Sequence, residues 1–266
     1  MLVGAAPPTV TPSCRKWFHT PGRRSQELRV KAHGFIGIQN LGAIYKYTPG
    51  GSQTTFATGL NGVWGLAFDT SGNLFEGDSL SGHIYKFTPG GSRSTFASGL
   101  STPKGLAFDK SGNLFEADGG SGNIYEYSTG GSRTTFASGL NEPSSIVFDV
   151  TGNFMFEADL GSGNIYEFTP AGTLSTFATG LAHPTTLAIN SAGNLFETDF
   201  ISGNIYEFAT DGTRSTFASG LSAPSGLAFQ GEILPVPEPT TACLMIFGAA
   251  GMLFLRKKVL VIRRPM

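Results

Sequence analysis

The chain is poor in charge, in cysteine and in helical patterning. Only 14% of its 266 residues are charged, and only two are cysteine. Cys14 lies in a basic N-terminal stretch and Cys243 in an apolar run, so a disulfide framework is excluded and stability has to come from packing. No apolar heptad recurs, which excludes a coiled coil or helical bundle. There is no P-loop, no Cys/His zinc spacing and no nucleophile elbow, so the reactions that those motifs carry have no support. Apolar residues run on without interruption only once, from Ala242 to Leu255.

What the chain does have is glycine, 37 residues, and phenylalanine, 22 residues, a composition suited to many short strands joined by tight turns. It also has a repeat. The dipeptide Ile-Tyr begins at Ile44, Ile84, Ile124, Ile165 and Ile205, at spacings of 40, 40, 41 and 40 residues. The extra residue falls in GNFMFEAD, 152–159, where the other units read GNLFEAD, and a bulge or a lengthened turn is expected there.

One unit reads as four strands: GLAFD (105–109), NLFEAD (113–118), NIYEY (123–127) and TTFASGL (134–140). Ser-Gly-Asn and Gly-Gly-Ser supply the turns, with glycine taking the positive φ that hairpins need. Four antiparallel strands repeated at this period make a propeller blade. Four complete blades begin at Gly65, Gly105, Ser145 and Thr186, while Phe35 to Leu60 offers three more strands and Ser225 to Phe229 one. The expectation is an all-β propeller of five blades, closed by pairing of 225–229 with 35–38, which would remove the open sheet edges.

Charge divides the chain. Residues 1–33 carry six Lys/Arg against Glu27 alone, residues 256–266 carry five, and residues 34–231 carry seven basic against sixteen acidic side chains. An acidic propeller repels phosphate backbones, so nucleic acid is not an expected partner. The expected organisation is a basic, unstructured segment 1–33, a propeller 34–231, a Pro-rich linker 232–241, a transmembrane helix with its basic stop 242–258, and a cytoplasmic tail 259–266.

The repeat GLAFDxSGNLFEADxxSGNIYEF, over residues 34–229, resembles the NHL repeat and the gluconolactonase-like and streptogramin-lyase-like propellers. These include lactonases, lyases and pure binding proteins, so the resemblance implies the fold more firmly than an activity. The segment VPEPTTACLMIFGAAGMLFLRKK, 236–258, resembles the PEP-CTERM sorting signal. As a helix its apolar run would measure about 21 Å, short of the roughly 30 Å hydrocarbon core. The flanks argue for a membrane helix: Pro237, Glu238 and Pro239 block helix on one side, and Arg256, Lys257 and Lys258 hold the other at the cytoplasmic face. That resemblance implies export, recognition of the Pro-Glu-Pro motif by an exosortase-type membrane protease, transient inner-membrane anchoring, and delivery to the surface of a Gram-negative bacterium. Residues 1–33 contain no apolar stretch of seven, so they do not fit the signal peptide such a route requires. The expectation is that the leader lies upstream of Met1.

Catalysis breaks repeat symmetry, and few residues do. His83 and His183 are expected to be exposed loop residues, Trp64 a packing residue, and Lys104 precedes one inner strand. The repeated Asp78, Asp118, Asp159 and Asp199 are expected to cap the following hairpin through its N–H groups. If Asp78 pairs with Ile84, the same register sets Glu116 against Glu126, Glu157 against Glu167 and Glu197 against Glu207. Opposed like charges need solvation, a shifted register or a hard cation such as Ca²⁺ between them. Two functions follow: a non-enzymatic binding or scaffold protein of the cell envelope or exopolysaccharide matrix, or a metal-dependent lactonase or lyase.

Overall fold

The computed structural model describes residues 34–48, 51–229, 243–248 and 251–256. The described residues form an all-β propeller with five blades' worth of the four-stranded antiparallel repeat. Four blades are complete, running from Val63 to Ser98, Pro103 to Ala137, Pro143 to Ala178 and Pro184 to Ala218. In blade 2, for instance, the strands are Pro103–Phe108, Leu114–Asp118, Asn123–Tyr127 and Arg133–Ala137, bonded in sequence order. The fifth set is split between the ends. Gly34–Ile38, Ala43–Tyr47 and Gln53–Ala57 supply three strands, and Pro224–Phe229 is a lone inner strand by its place in the repeat.

One expectation fails at that last strand, and the expected transmembrane helix is not confirmed. Pro224–Phe229 does not pair with Gly34–Ile38; it is bonded to Cys243–Gly248, which is bonded in turn to Gly251–Arg256. The segment expected as a transmembrane helix therefore forms a hairpin that covers the free edge of the last inner strand. A continuous apolar run has no period to separate a buried strand from a buried helix, and Gly248 and Gly251 are poor helix formers. Among the described residues no helix is long and apolar enough to cross a membrane. Pro237, Glu238, Pro239, Lys257 and Lys258 lie outside the described residues, as do residues 1–33, and Arg256 ends the hairpin.

The added residue of blade 3 lengthens a turn. Asp109 N–H bonds to the carbonyl of Asn113, four residues on, whereas Asp149 N–H reaches Phe154, five residues on. The side-chain oxygen of Asp149 accepts from both Asn153 and Phe154 N–H, which satisfies the longer loop.

Blades stack face to face, and each interface is a core of its own. Phe75 and Ile84 of blade 1 meet Leu106, Leu114 and Tyr127 of blade 2; Phe115, Ala117 and Ile124 of blade 2 meet Ile146, Met155 and Phe168 of blade 3. Within each blade a phenylalanine of the second strand sits edge-to-face on one of the fourth, with ring centroids 5.0 Å apart for Phe75 and Phe96 and 5.1 Å for Phe115 and Phe136. Such pairs contribute about 0.5–1.5 kcal/mol beyond area burial.

At the axis the inner strands nearly touch. A Cβ on Gly65 would lie 2.0 Å from the carbonyl oxygen of Lys104, and one on Gly105 2.8 Å from the nitrogen of Ile146. Hydroxyls lace the other strands: Ser145 Oγ accepts the N–H of Leu187 at 3.0 Å, and Thr186 Oγ1 donates to the carbonyl of Ser225 at 2.8 Å. Gly105→Ala should therefore destabilise the propeller by about 1–3 kcal/mol. Gly90→Ala, in a turn where the nearest neighbour of a Cβ is 3.8 Å away, should be neutral or slightly stabilising. Urea unfolding of both variants tests the close approach, and equal midpoints would contradict it.

Candidate functional site

The second strand of each complete blade is buried on both faces, and its middle residue is a glutamate. Glu76, Glu116, Glu157 and Glu197 are each 0% exposed; the carboxyl oxygens of Glu76, Glu116 and Glu197 have no hydrogen-bond partner, and Glu157 has at most a poorly aligned approach from the Ser144 N–H. Burial pushes Glu76 up from 4.5 to about 8, with the charge of Asp78 adding to the rise and Arg93 opposing it. Glu197 is pushed up to about 9 by burial and then Asp199, against the pull of Arg214. Burial, followed by Asp118 and Asp159, holds Glu116 and Glu157 well above the carboxylate range; Arg133 offsets part of this for Glu116, and the Ser144 N–H part for Glu157. In all four, burial favours the carboxylic acid over the carboxylate.

The register expected for them is wrong by one residue. Asp118 pairs with Asn123, so Glu116 opposes Tyr125 and Glu126 opposes Phe115, and the two carboxyls lie on opposite faces of the blade. The same shift separates Glu157 from Glu167 and Glu197 from Glu207. The hairpin is tighter than assumed because Gly122, at φ 68°, turns the chain directly into Asn123. Glu126 and Glu207 accept instead from the side-chain amides of Asn113 and Asn194, at 3.0 and 2.9 Å. Nor do these carboxyls fit a Ca²⁺ ion, which takes six to eight oxygens. The aspartate two residues on is already bonded: Asp118 accepts from Ser121 N–H at 3.2 Å and Ser101 N–H at 2.7 Å. Among the described residues no three His, Cys, Asp or Glu side chains gather as a metal site.

Those aspartates do cap their hairpins, as expected, and they do more. The second oxygen of Asp78, Asp118, Asp159 and Asp199 reaches back to the loop before the inner strand, at 2.6 to 2.7 Å. Each clamps two loops at the face of the disc where the inner strands begin.

On that face the repeat symmetry breaks around Lys104. Its counterparts are Trp64, Ser144 and Thr185, and the last two use their hydroxyls to bond Pro184 and Pro224 of the next inner strand, at 3.1 and 3.3 Å. Lys104 is 3% exposed. Its ammonium lies 2.7 Å from the Glu142 carboxylate and 5.0 Å from the centre of the Trp64 ring. The Lys104 stem rests against Gly119, where a Cβ would fall 2.8 Å from Lys104 Cε. Trp64 and Lys104, two residues that broke the repeat in sequence, are thus brought together. His83 and His183 are not. His83 stacks on Tyr85 and His183 packs near Phe200, both half-buried with Nδ1 lacking a partner, which corrects their expected exposure.

Glu142 was not among the sequence candidates. Its backbone is left-handed, at φ 65°, as is that of Thr102 at φ 89° in the preceding blade, a conformation that costs a residue with a side chain about 1–3 kcal/mol. Thr102, Gly119, Gly120, Ser121, Leu140, Asn141 and Glu142 border an open groove of about 390 Å³.

No family model matches the chain, and no curated protein does. Solved structures do match. A gluconolactonase from Xanthomonas campestris aligns at TM-score 0.73 and 15% identity over 84% of this chain and 82% of its own. Virginiamycin B lyase from Staphylococcus aureus aligns at 0.66 and 13% over 88% and 83%. A chain of a nidogen/laminin complex aligns at 0.61 and 25% over 66% and 71%. The likeness to the two enzymes is one of fold.

The buried acids make stability depend on pH. Their folded-state pKa is raised, so the folded chain holds protons that the unfolded chain releases above about 4.5. Stability is full below that value and is lost as pH rises through about 8 for Glu76 and about 9 for Glu197. Glu76→Gln and Glu197→Gln should each be near neutral at pH 5 and stabilise by about 1–3 kcal/mol at pH 9. Thermal unfolding across pH checks this; wild-type stability that rises from pH 5 to 9 would contradict it.

Proposed function

We propose that the chain is an exported, non-enzymatic β-propeller of the bacterial cell envelope or exopolysaccharide matrix, sorted by a PEP-CTERM-type tail. The observation that carries the non-enzymatic part is the make-up of the axis. Among the described residues, inner strands packed backbone to backbone, tied by Ser and Thr hydroxyls and headed by one lysine, leave no converging carboxylates, amides or imidazoles to hold a catalytic metal. A metal-dependent lactonase or lyase is the competing reading. The fold favours it, and the donor set at the axis speaks against it.

The tail supports export through the composition of 236–258. In a bilayer an open hairpin leaves backbone groups without partners, and a helix satisfies them. The apolar segment that covers the last inner strand in water would accordingly be helical in lipid, with Arg256, Lys257 and Lys258 at the cytoplasmic face. Pro237, Glu238 and Pro239 are then the motif for an exosortase-type protease, and the propeller lies outside the cell.

Two experiments test the two halves. Replacing Pro237, Glu238 and Pro239 by alanine should leave unprocessed chain in the inner membrane and reduce the surface-exposed fraction, read by immunoblotting of fractionated cells. Unchanged processing and distribution would remove the sorting reading. A glycan panel probed with the purified chain should show binding to at least one polysaccharide; no binding, together with turnover of a lactone panel, would reverse the preference in favour of the enzyme.

A further inference from the structure

We infer that the groove beside Lys104 is a binding site for a carboxylate-bearing sugar, the uronate unit of an acidic polysaccharide, whose carboxylate replaces that of Glu142 on the Lys104 ammonium. This rests on the saccharide-binding reading above and narrows it from many equivalent blade sites to one. The repeat alone would put the same groove on every blade. Only blade 2 places a lysine at the head of its inner strand, and only blade 2 has two glycines after its aspartate. The corresponding pairs elsewhere are Ser79 and Leu80, Leu160 and Gly161, and Phe200 and Ile201.

Each glycine has a steric reason. Gly119 makes room for the Lys104 stem, and a Cβ on Gly120 would sit 1.8 Å from the carbonyl oxygen of Ser101. Together they keep this side of the groove free of the apolar side chains that stand at the same place in blades 1 and 4, where Leu80 is 70% and Ile201 67% exposed. What borders it is hydrogen-bonding. Within the described residues the side chains of Thr102, Ser121 and Asn141 have no bonding partner, and Ser121 and Asn141 are exposed. Polyhydroxylated ligands suit such a lining better than apolar ones.

The propeller's net negative charge opposes a polyanion at long range, so the attraction has to be local, and its charge sits behind the groove. Lys104 is enclosed between the Trp64 ring and the Glu142 carboxylate, and Glu142 belongs both to its ion pair and to the wall of the groove. An ammonium removed from water needs an anion. Glu142 supplies one from an exposed loop, on a left-handed backbone, with its side chain 49% exposed. Turning that side chain outward would open Lys104 to the groove, provided another carboxylate takes the place. A neutral sugar offers nothing to the ammonium, and a small carboxylate offers nothing to Thr102, Ser121 and Asn141. Glu142 then acts as an intramolecular competitor, so that binding of one unit is weak and a polymer gains by rebinding.

The test uses the full chain with Trp17→Phe, so that fluorescence reports on Trp64, titrated with trigalacturonate, maltotriose and acetate. Saturable binding is expected for trigalacturonate and absent for the other two. Lys104→Met should weaken it at least about tenfold. Glu142→Gln, whose fold is checked by thermal unfolding without ligand because it leaves Lys104 without its anion, should tighten it by about threefold or more by removing the competitor. No saturable trigalacturonate binding, equal binding of maltotriose, or weaker binding by Glu142→Gln would overturn the site. Should Lys104→Met keep wild-type affinity for a polysaccharide found on the glycan panel, this site is wrong and the broader reading stands; no binding on the panel removes both.

Discussion

The packing of one blade's face on the next governs everything else in this protein. A four-stranded sheet with two apolar faces cannot be stable alone, and a ring of such sheets buries every face except those at a break. The two faces are unlike. One carries Phe115, Ala117 and Ile124, and the other carries Leu114, Glu116 and Asp118 across from Asn123, Tyr125 and Tyr127. A carboxyl in the middle of the second face is therefore buried in each complete blade. It stays there by keeping its proton, since an ionised group at that depth would lack both water and a partner. In the first three-stranded sheet the same register position, opposite Tyr45, is held by Ile36, so a blade of this design forms without the acid.

Much of this was legible in the sequence, because the repeat carries it. Strand order, turn glycines, the blade count and the capping aspartates follow from a unit whose alternation is readable. The error of one residue in register had a local cause: the hairpin loop holds four residues, Gly119 to Gly122, rather than five, so Asn123, the first residue of its strand, pairs with Asp118. That single shift decided the fate of the carboxylates, since moving one residue along a strand changes its face. A usable signal was present in LFEAD itself. A glutamate flanked on both sides by apolar residues, recurring at one phase with Leu74, Leu114, Met155 and Leu195, belongs to the buried set of its strand.

The ends were less legible. The pairing of Pro224–Phe229 with Cys243–Gly248 depends on which extended segment reaches a free edge first, a matter of chain tethering that no local pattern encodes. Symmetry-breaking was the more productive guide. It picked out Trp64 and Lys104 but not Glu142, whose side chain meets Lys104 from 38 residues away and whose counterparts in the loop, Thr102 and His183, share no chemistry with it. A polar site built across blades is seen only once the ring brings its members together.

The central claim is that the four interior carboxyls are neutral structural acids rather than parts of a metal or catalytic centre. Infrared difference spectroscopy of the protonated-carboxyl C=O band at pH 7, comparing the wild type with the variant carrying glutamine at 76, 116, 157 and 197, tests it most directly. The account predicts a protonated band in the wild type at pH 7 that is missing from the variant. A wild-type spectrum showing only ionised carboxylates at pH 7, with protonation appearing only below about pH 5, would contradict it.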